Sequence, residues 1–363
     1  LREKEVIERI VDLVSICQSH IPDNISQELE NIRLREVALS SMGNTSGQQV
    51  MPDDFDLVDV DKQQIGVDFL DNFMNGGDAP GEVYGIAGAF GAGKTSLCCQ
   101  IAVEKAKQFL NSTDIYTGKQ LKHSHIFFYE DSLSDMRRRL ITYAAKIHKD
   151  SLEKLGNWEK LSYRGQLKPY EIQRFGAEIA HKGEHAVHGE YERLLGTRHL
   201  LNTNIRLHDF SGAEDDEGRA YGYGYVEEIA ASLRREEEQG RPPGVVLIDY
   251  VNVCCRLYCT AKNLDVSKHL RHLAGSFGMA CRRQIAQRFN CPVYLFQQLN
   301  YQANSRGFGA NIHLSDMAEA KNFGENTAFV FAMGPPNKEN STFQFFLLKS
   351  RRAAGQARPI LVH

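Results

Sequence analysis

The residues best suited to chemistry are Gly88-Ala89-Phe90-Gly91-Ala92-Gly93-Lys94-Thr95, with Ser96 following. Their spacing, G-x-x-x-x-G-K-[ST], is that of a phosphate-binding P-loop. Glycines let the backbone curl so that successive N–H groups turn toward phosphate oxygens. Lys94 then reaches the β- and γ-phosphates as a point charge. The Thr95 hydroxyl is placed to bind Mg²⁺. A helix starting near Gly93 aims its positive end at the same anion. A glycine turn with a surface lysine can show the same pattern, so the flanks decide. Upstream, Glu82-Val83-Tyr84-Gly85-Ile86-Ala87 reads as a short buried strand, and Ser96 to Ala106 reads as a helix. Strand, glycine loop and helix together select a nucleotide site.

Three further apolar runs end in polar residues. Ser124-His125-Ile126-Phe127-Phe128-Tyr129-Glu130-Asp131 closes on two acids. Val245-Val246-Leu247-Ile248-Asp249-Tyr250 has the form of a Walker B strand, although an acid there can also simply cap a turn. Cys291 to Asn300 ends in amides, Gln298 among them. Parallel strands present their carboxyl ends along one edge, where ligands bind. The P-loop, Glu130, Asp249 and Gln298 should therefore meet in one crevice. Thr95 and Asp249 would hold the metal, Asp249 through water. Glu130 would orient and deprotonate the attacking water. Gln298 would hydrogen-bond the γ-phosphate and report its loss to the adjoining loop. Lys349 and Arg351, together at a hairpin, fit fingers supplied to a neighbouring subunit; a solvated basic turn is the plainer alternative.

The elements that must position these residues alternate strand and helix. That implies an α/β fold, a mostly parallel twisted sheet with helices on both faces. The 363 residues are 42% apolar and 25% charged, ordinary for a soluble globular chain. A net charge of −3 makes no global case for nucleic acid or membrane. No apolar run reaches the roughly 20 residues of a membrane span, and no signal-peptide pattern opens the chain. A cytoplasmic or nucleoid-associated protein with no membrane partner is expected. Eight cysteines without a C-x-x-C pair read as buried apolar residues in a reducing compartment.

Residues 1–54 read as an N-terminal helical arm and linker, and 55–363 as the main domain. Residues 150–200 read as a helical insertion, whose His181, His185 and His188 suit solvent better than a metal. Arg137, Arg138 and Arg139 read as a solvated helix face. Tyr301 to Ser315, with Arg306, reads as a mobile loop, and Thr327–Met333, Thr342–Leu348 and Arg358–Val362 as strands. The chain starts at Leu1 rather than Met, as expected of part of a longer protein.

Over roughly residues 60–363 the chain resembles the RecA-like ATPases, in particular the motor domain of DnaB-type replicative helicases. Gly66-Val67-Asp68-Phe69-Leu70-Asp71, Gly76-Gly77 and Pro80-Gly81-Glu82 look like the entry shared by DnaB, RadA and KaiC proteins. Phe128 to Ser132 is similar to the segment with that family's catalytic Glu, and Ile248-Asp249-Tyr250 to its Walker B. Phe296-Gln297-Gln298-Leu299-Asn300 looks like its S-Q-L-N sensor, with Gln297 where Ser is usual. Leu348-Lys349-Ser350-Arg351 is similar to its K-x-R finger. The resemblance implies ATP and Mg²⁺ as cofactors and a hexameric ring that hydrolyses ATP at subunit interfaces. It also implies single-stranded DNA in the centre, pore loops within Tyr301 to Lys321, and a replication loader or primase as partner. The insertion at 150–200 has no counterpart in the family pattern, and Arg306 to Lys321 is only loosely similar. The other activity that the shared entry allows is recombination, loading or timing work of the RadA or KaiC kind, without unwinding.

Overall fold

A computed structural model describes residues 62–110, 122–146, 197, 199–211, 225–317, 326–337, 342–350 and 359–362. The N-terminal arm (1–54), nearly all of the 150–200 insertion with its three histidines, Cys17 and Arg351 lie outside the described residues.

Eight strands form one sheet: β1 Val83–Gly88, β2 His123–Phe128, β3 Ile205–Asp209, β4 Pro243–Asp249, β5 Val293–Gln298, β6 Phe329–Met333, β7 Phe343–Ser350 and β8 Ile360–Val362. Their order is β3-β2-β4-β5-β1-β6-β7-β8. The pairings from β3 through β6 are parallel, and β7 and β8 return antiparallel at one edge. The sequence explains the difference. Every residue of β1, β2 and β4 is buried, as expected for strands covered on both faces and written as unbroken apolar runs. β7 and β8 keep half-exposed residues.

The helices are α1 Asp68–Phe73, α2 Lys94–Leu110, α3 Leu133–Ala145, α4 Val226–Glu238, α5 Val251–Ala261, α6 Val266–Cys281 and α7 Tyr301–Ser305. A π-helical turn, Arg282–Ala286, extends α6. Helices α2 and α3 pack together, and α5 packs on α6. On β2, Ser124 Oγ donates to the Ala102 carbonyl of α2 (2.9 Å). Tyr129, an odd number of residues further on, hydrogen-bonds Cys254 of α5. Successive strand residues alternate faces, so the two helix groups cover opposite sides of the sheet, as the alternating pattern predicts.

Two expectations change. Val251–Ala261 is helical, which its short apolar and cysteine-rich sequence did not announce. The segment after β5 is not a plain loop: it contains α7, and Arg306 forms two 2.8 Å bonds to the Asp316 carboxylate. The cysteines are as expected: Cys98, Cys99, Cys254, Cys255, Cys259, Cys281 and Cys291 are buried free thiols.

The entry segment is pinned below the P-loop by a buried polar network. Lys105 Nζ donates to Asp78 Oδ1 (2.6 Å) and to the Gln64 carbonyl (2.9 Å), and Tyr294 Oη donates to Asp78 Oδ2 (2.7 Å). Both charges are fully buried and each finds several partners, the condition under which a buried ion pair is tolerated.

Candidate nucleotide site

β2, β4, β5 and β1 are consecutive in the sheet. Neighbouring strands lie about 4.8 Å apart, so four strand ends fall within about 15 Å. Gly88 is level with Gln298, and Phe128 with Asp249. The P-loop, Gln298, Asp249 and Glu130 therefore line one edge, as the sequence implies.

The P-loop has the backbone its sequence requires. Gly91 and Gly93 have φ of +72° and +86°, a region that side chains disfavour. Gly88 is needed for another reason: a Cβ there would stand 2.6 Å from Lys94 Cγ. Lys94 opens α2 and is buried, its Nζ donating to the carbonyls of Gly88 (3.0 Å) and Ala89 (2.8 Å). Burial lowers its pKa to about 8, against the pull of Asp249 and Glu130. Phe90, by contrast, projects from the loop with 80% of its surface exposed.

Asp249 ends β4 and is buried. Burial raises its pKa to about 7, opposed by a hydrogen bond from Thr95 and by the charge of Lys94. Its Oδ1 is buried and, among the described residues, has no hydrogen-bond partner. An oriented carboxylate oxygen with nothing to accept from suits a hard cation or its water shell. Mg²⁺ typically takes one or two carboxylate or hydroxyl oxygens and completes its sphere with phosphate and water. Thr95 and Asp249 fit that ion. Glu130 stands just past β2, more exposed, with its pKa raised by partial burial and by neighbouring Asp131. A carboxylate shifted that way is a better proton acceptor than a free one.

Three features of the site have no counterpart in the sequence reading. Tyr250 Oη lies 3.1 Å from Thr95 Oγ1, and Lys94 Nζ lies 5.2 Å from the centre of the Tyr250 ring. Beside the P-loop helix, a cavity of about 500 Å³ is lined by Ser96, Cys99, Asp135, Arg138, Arg139 and Tyr143, among others. Arg138 and Arg139 are thus cavity residues rather than a purely solvated face. The third is the Arg306–Asp316 brace. The signal for Tyr250 was its place directly after Asp249. For the arginines and the brace no local signal exists, because the partners come from other elements or from ten residues away.

Lys349 is not brought to this edge. It pairs with Val330, which is level with Gly85, three residues or about 10 Å back along β1 from Gly88.

No family model and no curated protein matches the sequence. Solved structures do. An ATPase domain from among the DnaB-like helicases matches with a TM-score of 0.57 and 15% identity, over 94% of this chain and 95% of that one. A DnaB-like replicative helicase, from a structure describing its interactions with primase, matches with a TM-score of 0.55 and 14% identity, over 99% of this chain and 73% of that one. The chain has the DnaB-type RecA-like ATPase fold. This is an NTPase fold, and its mostly parallel sheet is the α/β architecture that the alternating elements imply. Among the described residues no helix is long and apolar enough to cross a membrane.

Proposed function

We propose that the protein is an ATP-driven motor of the helicase or translocase kind, working on single-stranded DNA as a ring, with six subunits as the favoured number. The observation that carries this reading is the convergence at one sheet edge of Lys94, Thr95, Asp249 with its unpartnered Oδ1, Glu130 and Gln298, on a fold shared with helicase ATPase domains.

In this reading the P-loop from Gly88 to Ser96 wraps the phosphates. Lys94 leaves its carbonyl partners for the β- and γ-phosphates. Thr95 and Asp249 hold Mg²⁺, which when bound neutralises charge on the phosphates. Glu130 takes the proton of the attacking water. The cavity next to Ser96, with Arg138 and Arg139 at its wall, receives the nucleoside end. Gln298 reads the γ-phosphate, and its neighbour Leu299 ties the following loop to the P-loop, since Leu299 N and Lys94 Nζ share the Gly88 carbonyl (3.1 and 3.0 Å). Lys349 and Arg351 act on the site of the next subunit. Residues 1–54 form a separate arm, and 55–363 the motor domain. A replication loader or primase is the expected kind of partner.

The test is ATP hydrolysis by the purified chain with and without single-stranded DNA, together with its mass in solution. Strong stimulation in a species of about six subunits, followed by strand displacement, supports the motor. Stimulation with filament growth and no displacement would replace it with RadA-like strand work. Glu130→Gln is expected to keep nucleotide binding and to lose about 10²-fold or more of the hydrolysis rate, on the order of a general base's contribution; unchanged turnover would remove Glu130 from the mechanism.

A further inference from the structure

Tyr250 follows Asp249 and starts α5, so β4 delivers the two side chains to the P-loop together. Its hydroxyl lies 3.1 Å from Thr95 Oγ1. Its ring lies under the Lys94 ammonium, 5.2 Å from the ring centre. Tyr250 therefore touches both side chains with which the P-loop handles charge. Thr95 and Asp249, joined by a further hydrogen bond, form the pair that suits Mg²⁺.

A threonine hydroxyl has one hydrogen to give and two lone pairs to receive with. The Asp249 carboxylate can only accept, so the Thr95 hydrogen goes to Asp249. The bond between the two hydroxyls must then run from Tyr250 to Thr95. One Thr95 lone pair is used by Tyr250, and the other is left in a fixed direction. Neither Asp249 nor Thr95 alone fixes it, because a hydroxyl with one partner still rotates.

We propose that Tyr250 is a positioning residue for cation binding: its hydroxyl orients the Thr95 oxygen toward Mg²⁺ while its ring steadies the Lys94 ammonium. The inference rests on the nucleotide-site reading above and adds to it the residue that sets the geometry of the metal-binding hydroxyl. Partners of this kind, one bond removed from the ion, are worth about 10- to 100-fold in metal affinity. The ring contact is a cation–π interaction and acts on the lysine independently of the metal.

Two substitutions separate the two contacts. Tyr250→Phe removes only the hydroxyl, and Tyr250→Leu removes the ring as well. The measurement is binding of a fluorescent, non-hydrolysable ATP analogue to the full chain, titrated with Mg²⁺ and repeated in EDTA. A urea melt of each variant checks that it folds. For Tyr250→Phe the Mg²⁺ concentration giving half-maximal binding should rise about 10-fold, with binding in EDTA unchanged. Tyr250→Leu should in addition weaken binding in EDTA. Thr95→Ala, which removes the oxygen itself, should abolish the Mg²⁺ dependence. If Tyr250→Phe leaves the Mg²⁺ midpoint where it is or lowers it, while the unaltered chain binds the analogue in a Mg²⁺-dependent way, the positioning role is wrong and the nucleotide site stands. If the unaltered chain does not bind the analogue at all, both are wrong. Should Tyr250→Leu fail to fold, the Tyr250→Phe result still decides.

Discussion

At the scale of single residues, the P-loop is a set of contacts that tolerate little added volume. Gly88 packs against the Lys94 stem, and a methyl group there would meet Cγ at 2.6 Å and Cδ at 2.8 Å. Gly88→Ala should therefore displace Lys94 rather than the strand. The expected cost in stability is about 1–3 kcal/mol, the range for overpacking a buried site. The expected cost in function is larger, since Lys94 would no longer reach the phosphates. Urea melts beside nucleotide titration would show it: a variant that folds nearly as well and binds nucleotide tenfold more weakly or worse. Retained affinity would mean that the lysine finds another route.

At the scale of elements, two packed units are informative. The segment from Leu299 to Met317 is closed on itself. Asn300 N donates to the Asp316 carbonyl (2.8 Å), the Asn300 side chain caps α7 through Ala303 N (2.8 Å), and Arg306 grips Asp316 with both terminal nitrogens. Asp316 is almost completely buried, so losing its partner leaves a stranded charge. Arg306→Ala should loosen the whole segment. Amide exchange at Leu299 and Asn300 is expected to speed up at least tenfold, and the exchanged pair Arg306→Asp with Asp316→Arg to recover part of the protection. Exchange confined to the substituted residue would show that the ion pair does not hold the loop.

The second unit is a set of histidines between β2 and β3. His125 Nδ1 lies 3.0 Å from His208 Nε2, and His208 stacks on Phe127 with ring centres 4.1 Å apart. Burial lowers the pKa of His123 and His208 to about 4 and that of His125 further still. Arg206, Arg235 and Arg241 act against charging these rings, and Glu236 is the acid that opposes them. In the unfolded chain such histidines titrate near their ordinary 6.5. Between about pH 4 and 6.5 the unfolded state thus binds more protons. Stability should rise with pH through that window and be lost as pH falls below 6.5. Urea midpoints at pH 7.5, 6 and 5 should fall in that order, and less steeply in His208→Phe. A flat profile would mean that the rings are charged in the folded protein.

At the scale of the whole molecule, the site of one chain is incomplete in the proposed motor. Lys349 sits about 10 Å back from the carboxyl edge, and Arg351 follows two residues later in sequence. If these cations serve a neighbour's site, two dead variants should complement each other. Lys94→Ala lacks the phosphate lysine, and Arg351→Ala lacks the finger. Each alone should be inactive. Mixed in equal amounts, they should regain a measurable fraction of DNA-stimulated hydrolysis, because some interfaces then combine an intact P-loop with an intact finger. A mixture as inactive as its parts would rule out the shared site.

How much of this was legible follows from where each signal resides. The P-loop, the acid after β2, the Asp ending β4 and the Gln ending β5 are local patterns: an apolar run fixes a buried strand, and the polar residue ending it reaches the sheet edge. Parallel pairing then brings those ends together with no information beyond the alternation of elements. The α/β class, the mostly parallel order and the list of candidate phosphate and metal residues were therefore in the sequence. Partners across elements were not. Arg306 and Asp316 are ten residues apart across a segment whose Gly, Asn and Ser content reads as loose, and only the closed backbone makes them a pair. The Tyr250 hydroxyl meets Thr95 across 155 positions of chain, and Arg138 faces a cavity only because α3 packs on α2. Chain order sets which residues end a strand. Which side chains meet once the strands are side by side is set by register and packing, and these exist only in the folded molecule.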